Sequence, residues 1–594
     1  MYKKETFTAV ILFFILQICF AQSSFQNLEL GKNSLNYKGN PLKATDRKSL
    51  AFSDKGAWFG FGFLEQSEMQ GGFSGPFLMT EQNGVWLSSS FISLHLTDKN
   101  EQELIDWKTA LVNQNGYNSH LEQEFQNEKL EVKQQLVFSS GHSAIQKTSI
   151  TNRSSKTITL YPIYNSKTYL DNMQLSTEGQ FLKLVSSKSN AVGYIQFFNE
   201  GIDIVITKDS FTAKANKLTL KPNETKEIVV SQTYIFPQYD WKKENENLAE
   251  IQFNTVLKDT KKEKENQLAQ LIAKKKSIYK GAEYSIFIAK LLLTLQNNTR
   301  IPAEGLKHEG LFPSYHYEWF HGFWAWDSWK HAAALAQYNP DLAKNQMRAM
   351  FDYQEPNGFI PDCIYRDTLI EPNNYRNTKS PLAAWAVWEI YKQNKDVNFI
   401  KEFYPKLKNY HTWWYKERDH DQDGLCEFGS TDGTLVAGKW ESGMDNAVRF
   451  DNSKILKNGE QAYSLDQESV DLNSFLYAEK NYLAKMAKVL KLVNEEKIWT
   501  KESAKLKNQI QTQFWDAKTG WFYDTSIDGK NFIKDMGCEG FLPLWAEVAS
   551  VEQAKSIKNN LLNPDTFNTF VPLPTLAANQ PKFKPDNGYW RGPI

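Results

Sequence analysis

The sequence is poor in cysteine and has no excess of charge of either sign. Its 594 residues include 4 cysteines, whose wide spacing is neither a disulfide framework nor a zinc signature. A single bridge among Cys363, Cys426 and Cys538 stays open at this stage. The 69 Lys and Arg residues balance 69 Asp and Glu residues. A neutral chain lacks the basic surface that nucleic acids attract, so we expect no nucleic-acid partner.

Long apolar runs are absent except near the start of the chain. Lys3 and Lys4 precede the run Ala9–Phe20, whose 12 residues are too few to span a bilayer. Cys19, Phe20 and Ala21 then provide the small-residue pattern of a cleavage site before Gln22. We therefore predict a signal peptide at residues 1–21 and a periplasmic or secreted protein with no membrane anchor. An N-terminal strand is the alternative, and bulky Ile18 disfavours a lipoprotein site at Cys19.

Aromatic residues, in contrast, are abundant. They make up 14% of the chain, and 14 of the 18 tryptophans lie after residue 300. Flat apolar rings in such excess are suited to stacking against sugars or bases, and the neutral charge disfavours bases.

The pattern changes near residue 240. Before it, segments such as 130–138, 157–162 and 202–207 alternate or are rich in β-branched residues, as in a β-sandwich. Residues 241–280 are rich in Lys, Glu, Gln and Leu, which predicts a linker helix. Later amphipathic runs separated by aromatic loops predict a toroid of paired helices with a site where the loops converge. The expected fold is multidomain α+β, with a β-sandwich at residues 22–240 and an (α/α)6 barrel at 281–594.

The first stretch with functional character is Phe320–Trp329. Five aromatic residues surround one carboxylate, Asp327. Rings contact the apolar face of a pyranose and a carboxylate accepts bonds from its hydroxyls. The alternative is the start of a core helix, with Asp327 as its N-cap.

The second stretch is Trp440–Asn446, where Glu441 and Asp445 flank a glycine beside an indole. A glycosidase needs a protonated carboxyl at the scissile oxygen, and an apolar neighbour raises the pKa of a carboxyl. The alternative is a turn in which Asp445 bonds to nearby backbone amides.

The third stretch, Asp419–Glu427, is similar to the first part of an EF-hand loop. It has oxygen side chains at positions 1, 3, 5 and 9 and glycine at position 6, but no glutamate at position 12. A complete site needs a carboxylate from elsewhere. We predict structural Ca²⁺, with an acidic surface turn as the alternative.

The last stretches are Asn568–Pro574 and Tyr589–Ile594. Arg591 beside Trp590 and Gly592 could bind a sugar hydroxyl or orient a carboxylate. A frayed terminus is the alternative.

Taken in order, these stretches resemble family 63 glycoside hydrolases, most closely the bacterial periplasmic α-glucosidase type, with trehalases and mannosylglycerate hydrolases as more distant relatives. The motifs that resemble the family are Phe323–Trp329, Trp440–Asp445, Gln467–Leu472, Asn568–Pro572 and Tyr589–Gly592.

The resemblance implies hydrolysis of α-glucosidic bonds in oligosaccharides with inversion. It assigns the general acid to Asp445. It implies that the residues lining the sugar site are Trp324, Asp327, Trp440, Glu441, Trp590 and Arg591. It also implies calcium at a loop like this one, with ligands Asp419, Asp421, Asp423, Leu425 and Glu427, and Glu468 as the added carboxylate.

The family's general base is a glutamate well downstream of the Trp-Arg-Gly stretch. We therefore expect the base and the last barrel helices to lie beyond residue 594, so that the barrel is incomplete and the 594-residue chain is inactive or nearly so. The alternatives are a sugar-binding remnant without catalysis, and a trehalase or mannosylglycerate-type hydrolase.

Overall fold

The structure is a computed structural model that describes residues 25–81, 83–198 and 201–593. The predicted signal peptide, residues 1–21, lies outside the described residues. Among those described, none of the helices is both long and apolar enough to cross a membrane. Cys363, Cys426 and Cys538 are free thiols buried in the protein, which closes the question of a bridge between them.

The chain divides into two compact units. The first contains residues up to Glu304 together with Ser314–His321, and the second contains Gly305–Pro313 and the residues from Gly322 onward. The first unit is rich in strands and the second in helices, as the change in sequence pattern predicts.

The β-rich unit contains two large antiparallel sheets. One sheet has the strand order β10-β11-β12-β16-β8-β7-β6-β5, and the other has the order β13-β14-β9-β15 with β4 also paired to β9. The strands are β1 Phe59–Gly62, β2 Ser74–Leu78, β3 Val85–Trp86, β4 Ser93–Thr97, β5 Leu111–Gly116, β6 Leu121–Gln126, β7 Leu130–Phe138, β8 Ser143–Asn152, β9 Ile158–Lys167, β10 Met173–Glu178, β11 Phe181–Ser186, β12 Val192–Phe197, β13 Asp203–Ile206, β14 Ser210–Lys214, β15 Leu218–Leu220, β16 Thr225–Ile235 and β17 Thr299–Arg300.

Side-chain alternation explains how these strands form a common core. In β6, Leu121, Gln123 and Phe125 are buried, while Glu122 and Glu124 between them are partly exposed. Core residues of both sheets belong to one apolar cluster, which includes Val132 of β7 and Leu160 of β9. Burying one face of each sheet against the other provides the apolar contact that an isolated sheet lacks.

The helices of the first unit do not form a simple linker. They are α1 Gln26–Gly31, α2 Trp107–Ala110, α3 Trp241–Glu250, α4 Phe253–Ala273 and α5 Ala282–Asn298. The region predicted as one linker helix is thus a pair, α3 and α4. A buried ion pair, with 2.7 Å from Lys264 Nζ to Asp54 Oδ1, ties α4 to the β-rich unit.

Helix α5 also belongs to the first unit, although we expected the helical domain to begin at residue 281. The physical reason is polar contact at its C-terminal end. Gln296 Nε2 donates to the carbonyl oxygen of Asn118 at 2.9 Å, and Asn297 Nδ2 donates to the Tyr37 hydroxyl at 2.7 Å. Sequence periodicity cannot reveal such distant partners.

The second unit is built from helices joined by loops with short strands. The helices are α6 Ala325–Leu335, α7 Pro340–Phe351, α8 Ala383–Asn394, α9 Val397–Glu417, α10 Leu435–Glu441, α11 Val470–Val489, α12 Val493–Gln513, α13 Leu542–Trp545 and α14 Val551–Leu562. The strands are β18 Gly310–Leu311, β19 Phe323–Trp324, β20 Cys363–Ile364, β21 Gly429–Ser430, β22 Ile455–Lys457, β23 Tyr463–Leu465, β24 Gln467–Glu468, β25 Trp515–Asp516, β26 Trp521–Phe522, β27 Asp524–Ser526 and β28 Phe532–Ile533.

Local sequence signals set several helix starts. Asn339 caps α7 by accepting a hydrogen bond from the Leu342 amide at 3.1 Å, and Pro340 takes the first helical position. Ser550 forms a reciprocal capping box at the start of α14. These caps fix where the preceding loops end, and the candidate site is formed by loops.

Candidate active site

The turn that follows α10 contains Asp445, the predicted general acid. Thr434 caps the helix by accepting from the Ala437 amide at 3.4 Å, and the helix ends at Glu441. Gly443 then adopts a φ of +74°, and a Cβ added there would collide with the Trp326 ring. Both the positive φ and the indole contact require glycine at this position. The glycine between the two carboxylates therefore brings the turn against an aromatic wall.

Asp445 is half-buried in this turn. The Tyr589 hydroxyl donates a hydrogen bond to its Oδ2 at 3.1 Å. Burial raises the pKa of Asp445 above its ordinary value, while the charge of Lys379 and the Tyr589 bond oppose that rise. A raised pKa favours the protonated carboxyl that a general acid requires.

The segment Gly588–Arg591 is fastened to the acid turn through Asn446. The amide Nδ2 of Asn446 donates to the Gly588 carbonyl oxygen at 3.2 Å, and its Oδ1 accepts from the Trp590 backbone amide at 3.0 Å. The side chain of Arg591 donates to the Asn446 carbonyl oxygen at 2.8 Å. The segment and the acid turn are thus one hydrogen-bonded structure.

Arg591 binds a carboxylate, the second of its two predicted roles, where the family resemblance implies a sugar ligand. Its Nη2 lies 2.6 Å from Asp451 Oδ1, and Lys582 pairs with the other oxygen of the same carboxylate. With its guanidinium bound to Asp451 and the Asn446 carbonyl, Arg591 links its own segment to the residues that follow the acid turn.

Two indole rings lie beside the Asp445 turn: Trp326 lies against Gly443, and Trp590 follows Tyr589, whose hydroxyl bonds to Asp445. The Trp326 and Trp590 ring centroids lie 6.3 Å apart, and Trp324 makes an edge contact with Tyr365 at 6.0 Å. Among the described residues, the buried Nε1 of Trp590 has no hydrogen-bond partner. Half-buried rings beside an acid suit a sugar that presents an apolar face.

Two of the predicted lining residues have further constraints. Asp327 lies in the first turn of α6, where its charge raises the pKa of Asp445. Trp440 is half-buried, and the Arg376 guanidinium lies 5.3 Å from its ring centroid. The structure therefore places Asp327 where its charge acts on Asp445, and it places the Arg376 guanidinium against the Trp440 ring.

Glu441 differs clearly from its predicted place in the sugar site. Its side chain is fully buried, and Arg418 binds both of its oxygens, with Nε–Oε2 at 2.8 Å and Nη2–Oε1 at 2.9 Å. The backbone amides of Thr378 and Gly429 donate to the same carboxylate at 3.2 and 2.5 Å. These four donors occupy the carboxylate, so we correct its assignment to a structural ion pair.

Asp362 and Lys379 were missed by the sequence analysis. Both are buried, with Lys379 Nζ 3.3 Å from Asp362 Oδ1. Burial raises the pKa of Asp362 to about 6, and the charges of Asp445 and Asp327 add to this effect. No local motif marks either residue, because each comes from a different loop.

The predicted calcium ligands converge in the structure. The carboxylates of Asp419, Asp421 and Asp423 offer oxygen atoms within 4.8 Å of one another. Asp421 also forms such a group with Glu427 and Glu468. The cluster therefore includes the distant carboxylate that the incomplete EF-hand pattern requires.

Several oxygens of this acidic cluster lack protein partners. Among the described residues, buried oxygens of Asp419, Glu427 and Glu468 accept no hydrogen bond. Burial and the charges of Asp423 and Asp421 raise the pKa of Glu468 to about 9. Converging carboxylates with open lone pairs fit a hard cation that takes oxygen ligands, such as Ca²⁺. The contribution of the Leu425 carbonyl stays a prediction.

Comparison with known proteins finds two family models that match this chain. The family model "Mannosylglycerate hydrolase MGH1-like glycoside hydrolase domain" matches residues 321–594, and the model "Glucosidase YgjK, N-terminal" matches residues 39–184. A mannosylglycerate hydrolase of Rubrobacter radiotolerans is 23% identical over 46% of this chain and 75% of its own length. That of Thermus thermophilus is 22% identical over 51% of this chain and 84% of its own.

Among solved structures, a family 63 mannosylglycerate hydrolase from Thermus thermophilus in complex with glucose aligns with a TM-score of 0.41. It is 22% identical, and the alignment covers 51% of this chain and 82% of that one. The matches to both parts of the sequence, together with the curated relatives, confirm the resemblance seen in the motifs: the chain belongs to the family 63 glycoside hydrolases.

Proposed function

We propose that this glycoside hydrolase is an inverting, exo-acting α-glucosidase that cleaves α-glucosidic bonds in oligosaccharides. Asp445 is its general acid. The observation that supports this role most strongly is the position of Asp445. It is half-buried in a turn against Trp326, with one oxygen bound by Tyr589 at 3.1 Å. We also propose that helices α6–α14 belong to an (α/α)6 barrel.

In the proposed reaction, the protonated carboxyl of Asp445 donates its proton to the glycosidic oxygen as the C–O bond breaks. A water molecule attacks the anomeric carbon from the opposite face, and the product has the inverted configuration. The water-activating base stays a prediction from the resemblance, which assigns it to a glutamate downstream of Trp590. This proposal therefore concerns the acid and its surroundings.

The surroundings of Asp445 provide the sugar contacts. Trp324 and Trp590 offer ring faces to the sugar. Asp327 accepts hydrogen bonds from hydroxyls of the same ring. Trp440 takes part through its exposed edge, because Arg376 covers part of its ring.

A mannosylglycerate-type hydrolase is the second candidate. The family model that matches residues 321–594 has that description, and so do several curated relatives. The first candidate, a glucosidase, is supported by the model that matches residues 39–184. Fold and family alone do not discriminate between these sugars, so the substrate has to be measured.

The deciding experiment uses azide, a nucleophile that needs no general base. Azide can replace the activated water and attack the anomeric carbon, so an α-glucoside should yield β-glucosyl azide. We expect this product from the protein with its native Asp445, and its loss in Asp445→Asn with sugar affinity retained. Asp528→Asn, an exposed carboxyl bonded to Ser526, is the matched control.

The assay is run on a panel of glucose disaccharides, trehalose and mannosylglycerate. Azide adducts from glucosides alone support the glucosidase, and adducts from mannosylglycerate alone support the second candidate. Sugar binding without product, with or without azide, would mean a non-catalytic remnant and overturn the enzymatic proposal. Full activity of Asp445→Asn would reject the acid.

We further propose that the acidic cluster binds structural Ca²⁺ through Asp419, Asp421, Asp423, Glu427 and Glu468. The support is the convergence of these carboxylates and their unbonded buried oxygens. Export to the periplasm or medium is also a proposal, and it depends on the pattern of residues 1–21.

A further inference from the structure

Lys379 lies between the two protein segments that contain the proposed sugar site. It precedes α8 and its side chain is only 6% exposed. Its Nζ donates to the carbonyl oxygen of Trp440, in the last turn of α10, directly before the turn that contains Asp445. The last carbonyl groups of a helix have no partner within the helix, so this lysine satisfies one of them.

On its other side, the same lysine reaches the start of α6. Its Nζ lies 3.3 Å from Asp362 Oδ1. The carbonyl oxygen of Asp362 accepts from the amide of Ala325, the first residue of α6, at 2.8 Å, and Asn374 Nδ2 donates to Asp362 Oδ2 at 2.8 Å. Asp327 follows in the first turn of that helix. Lys379 therefore joins the Asp327 segment to the Asp445 segment.

Lys379 also affects the charges of the carboxyl groups around it. Asp445 interacts with the charges of Asp327 and Lys379 and with the Tyr589 hydroxyl, while Asp362 interacts with Asp445, Asp327 and Lys379. Lys330, one turn after Asp327 on α6, has its Nζ 3.2 Å from the Trp326 ring centroid. Glu441 and Asp451 are already paired with Arg418 and with Arg591 and Lys582.

We propose that Lys379 is a positioning residue for the general acid. It fixes the end of α10 against Asp362 and supplies a positive charge beside Asp362 and Asp445. The inference rests on the proposed function, since it assigns the role of Lys379 from the proposed role of Asp445.

This arrangement has a consequence for the reaction. When Asp445 gives its proton to the leaving group, a new negative charge appears near Asp327 and Asp362. Lys379 stabilises that charge without moving, because Asp362 and the Trp440 carbonyl already fix its ammonium group. Removing the lysine leaves the carboxyl groups without this compensation, so Asp445 should keep its proton to higher pH.

The test is a titration of Asp445 that needs no turnover. Isotope-edited infrared spectra of protein labelled with ¹³C-aspartate follow the carboxyl bands, and the band lost in Asp445→Asn identifies this residue. We expect Lys379→Met to shift the Asp445 midpoint to higher pH, whereas Lys379→Arg keeps it near the original value. Lys408→Met, which removes a half-exposed partner of Glu495, is the matched control and should leave the Asp445 midpoint unchanged.

Two further variants separate charge from shape. Asp362→Asn removes a neighbouring negative charge and should shift the Asp445 midpoint to lower pH. The double variant Lys379→Met/Asp362→Asn removes one charge of each sign and should return the midpoint most of the way. If Lys379→Met does not fold, Asp362→Asn still decides the matter, because its shift has the opposite sign.

An unchanged Asp445 midpoint in Lys379→Met or in Asp362→Asn would overturn the inference, as would a double variant shifted as far as the single lysine variant. These outcomes are independent of the azide experiment. If the proposed role of Lys379 is wrong, the proposed role of Asp445 is unaffected. If Asp445 is not the general acid, the azide product assay shows it.

Discussion

Glu441 offers the sharpest contrast between a sugar ligand and a structural residue. Glu441→Gln keeps the size of the side chain but leaves the Arg418 guanidinium buried without its counter-ion. Arg418 and Glu441 are both fully buried and bidentate, at 2.8 and 2.9 Å. Breaking a buried ion pair on one side costs about 3–5 kcal/mol.

This loss in the free energy of unfolding can be measured as a decrease in melting temperature. For domains of a few hundred residues, 1 kcal/mol corresponds to about 2–4 °C, so we expect a decrease of roughly 6–20 °C. Sugar affinity, measured by calorimetry well below the melting transition, should stay within about twofold of the original. The reason is that the Glu441 carboxylate is occupied by four protein donors.

The matched control is Glu495→Gln, which weakens a half-exposed pair with Lys408 at 2.8 Å. Such a pair contributes about 0–1 kcal/mol, so melting should change little. The opposite result for Glu441→Gln, with sugar affinity lost and melting unchanged, would refute the structural assignment and restore Glu441 to the sugar site.

Two other predictions concern stability. Chelation of divalent cations should lower the melting temperature, because a cation at 100 times its Kd adds about 2.7 kcal/mol; Glu468→Gln should remove most of this response, and a melting curve indifferent to both chelator and Ca²⁺ would contradict the site. Burial raises the pKa of Glu479 to about 8, in a pair with His411 at 3.0 Å. Because the pKa of Glu479 is higher in the folded than in the unfolded state, its protonated carboxyl contributes fully to the free energy of unfolding below about pH 4.5. That contribution is lost as pH rises toward 8, at up to about 1.4 kcal/mol per pH unit. Urea unfolding of Glu479→Gln should therefore show a stability advantage over the original protein that grows between pH 5 and 8; equal slopes would contradict it.

Much of the fold could be predicted because it depends on local pattern. The segment 130–138 alternates in polarity and forms β7 with these bounds, and the amphipathic run at 382–393 forms α8 within one residue. The break between α3 and α4 was not foreseen, since Ile251 and Gln252 contain neither proline nor glycine.

The candidate site shows where local pattern stops being sufficient. The Gly443 turn beside Asp445 could be predicted from seven consecutive residues. The partner of Glu441 could not be predicted, because Arg418 is 23 positions away and neither segment contains a motif that indicates the pair. For the same reason the Lys379–Asp362 pair was missed, and the carboxylate that Arg591 could orient was not identified as Asp451.

The clasp between Asn446 and the segment Gly588–Arg591 has a consequence for biosynthesis. Its hydrogen bonds join residues 142 to 145 positions apart. At about 5–20 residues per second, a ribosome needs roughly 7–30 s to deliver the second partner after the first. During that interval the nascent protein exposes an unfinished acid turn, so slow translation or a chaperone that shelters this turn should influence the yield of correctly assembled enzyme.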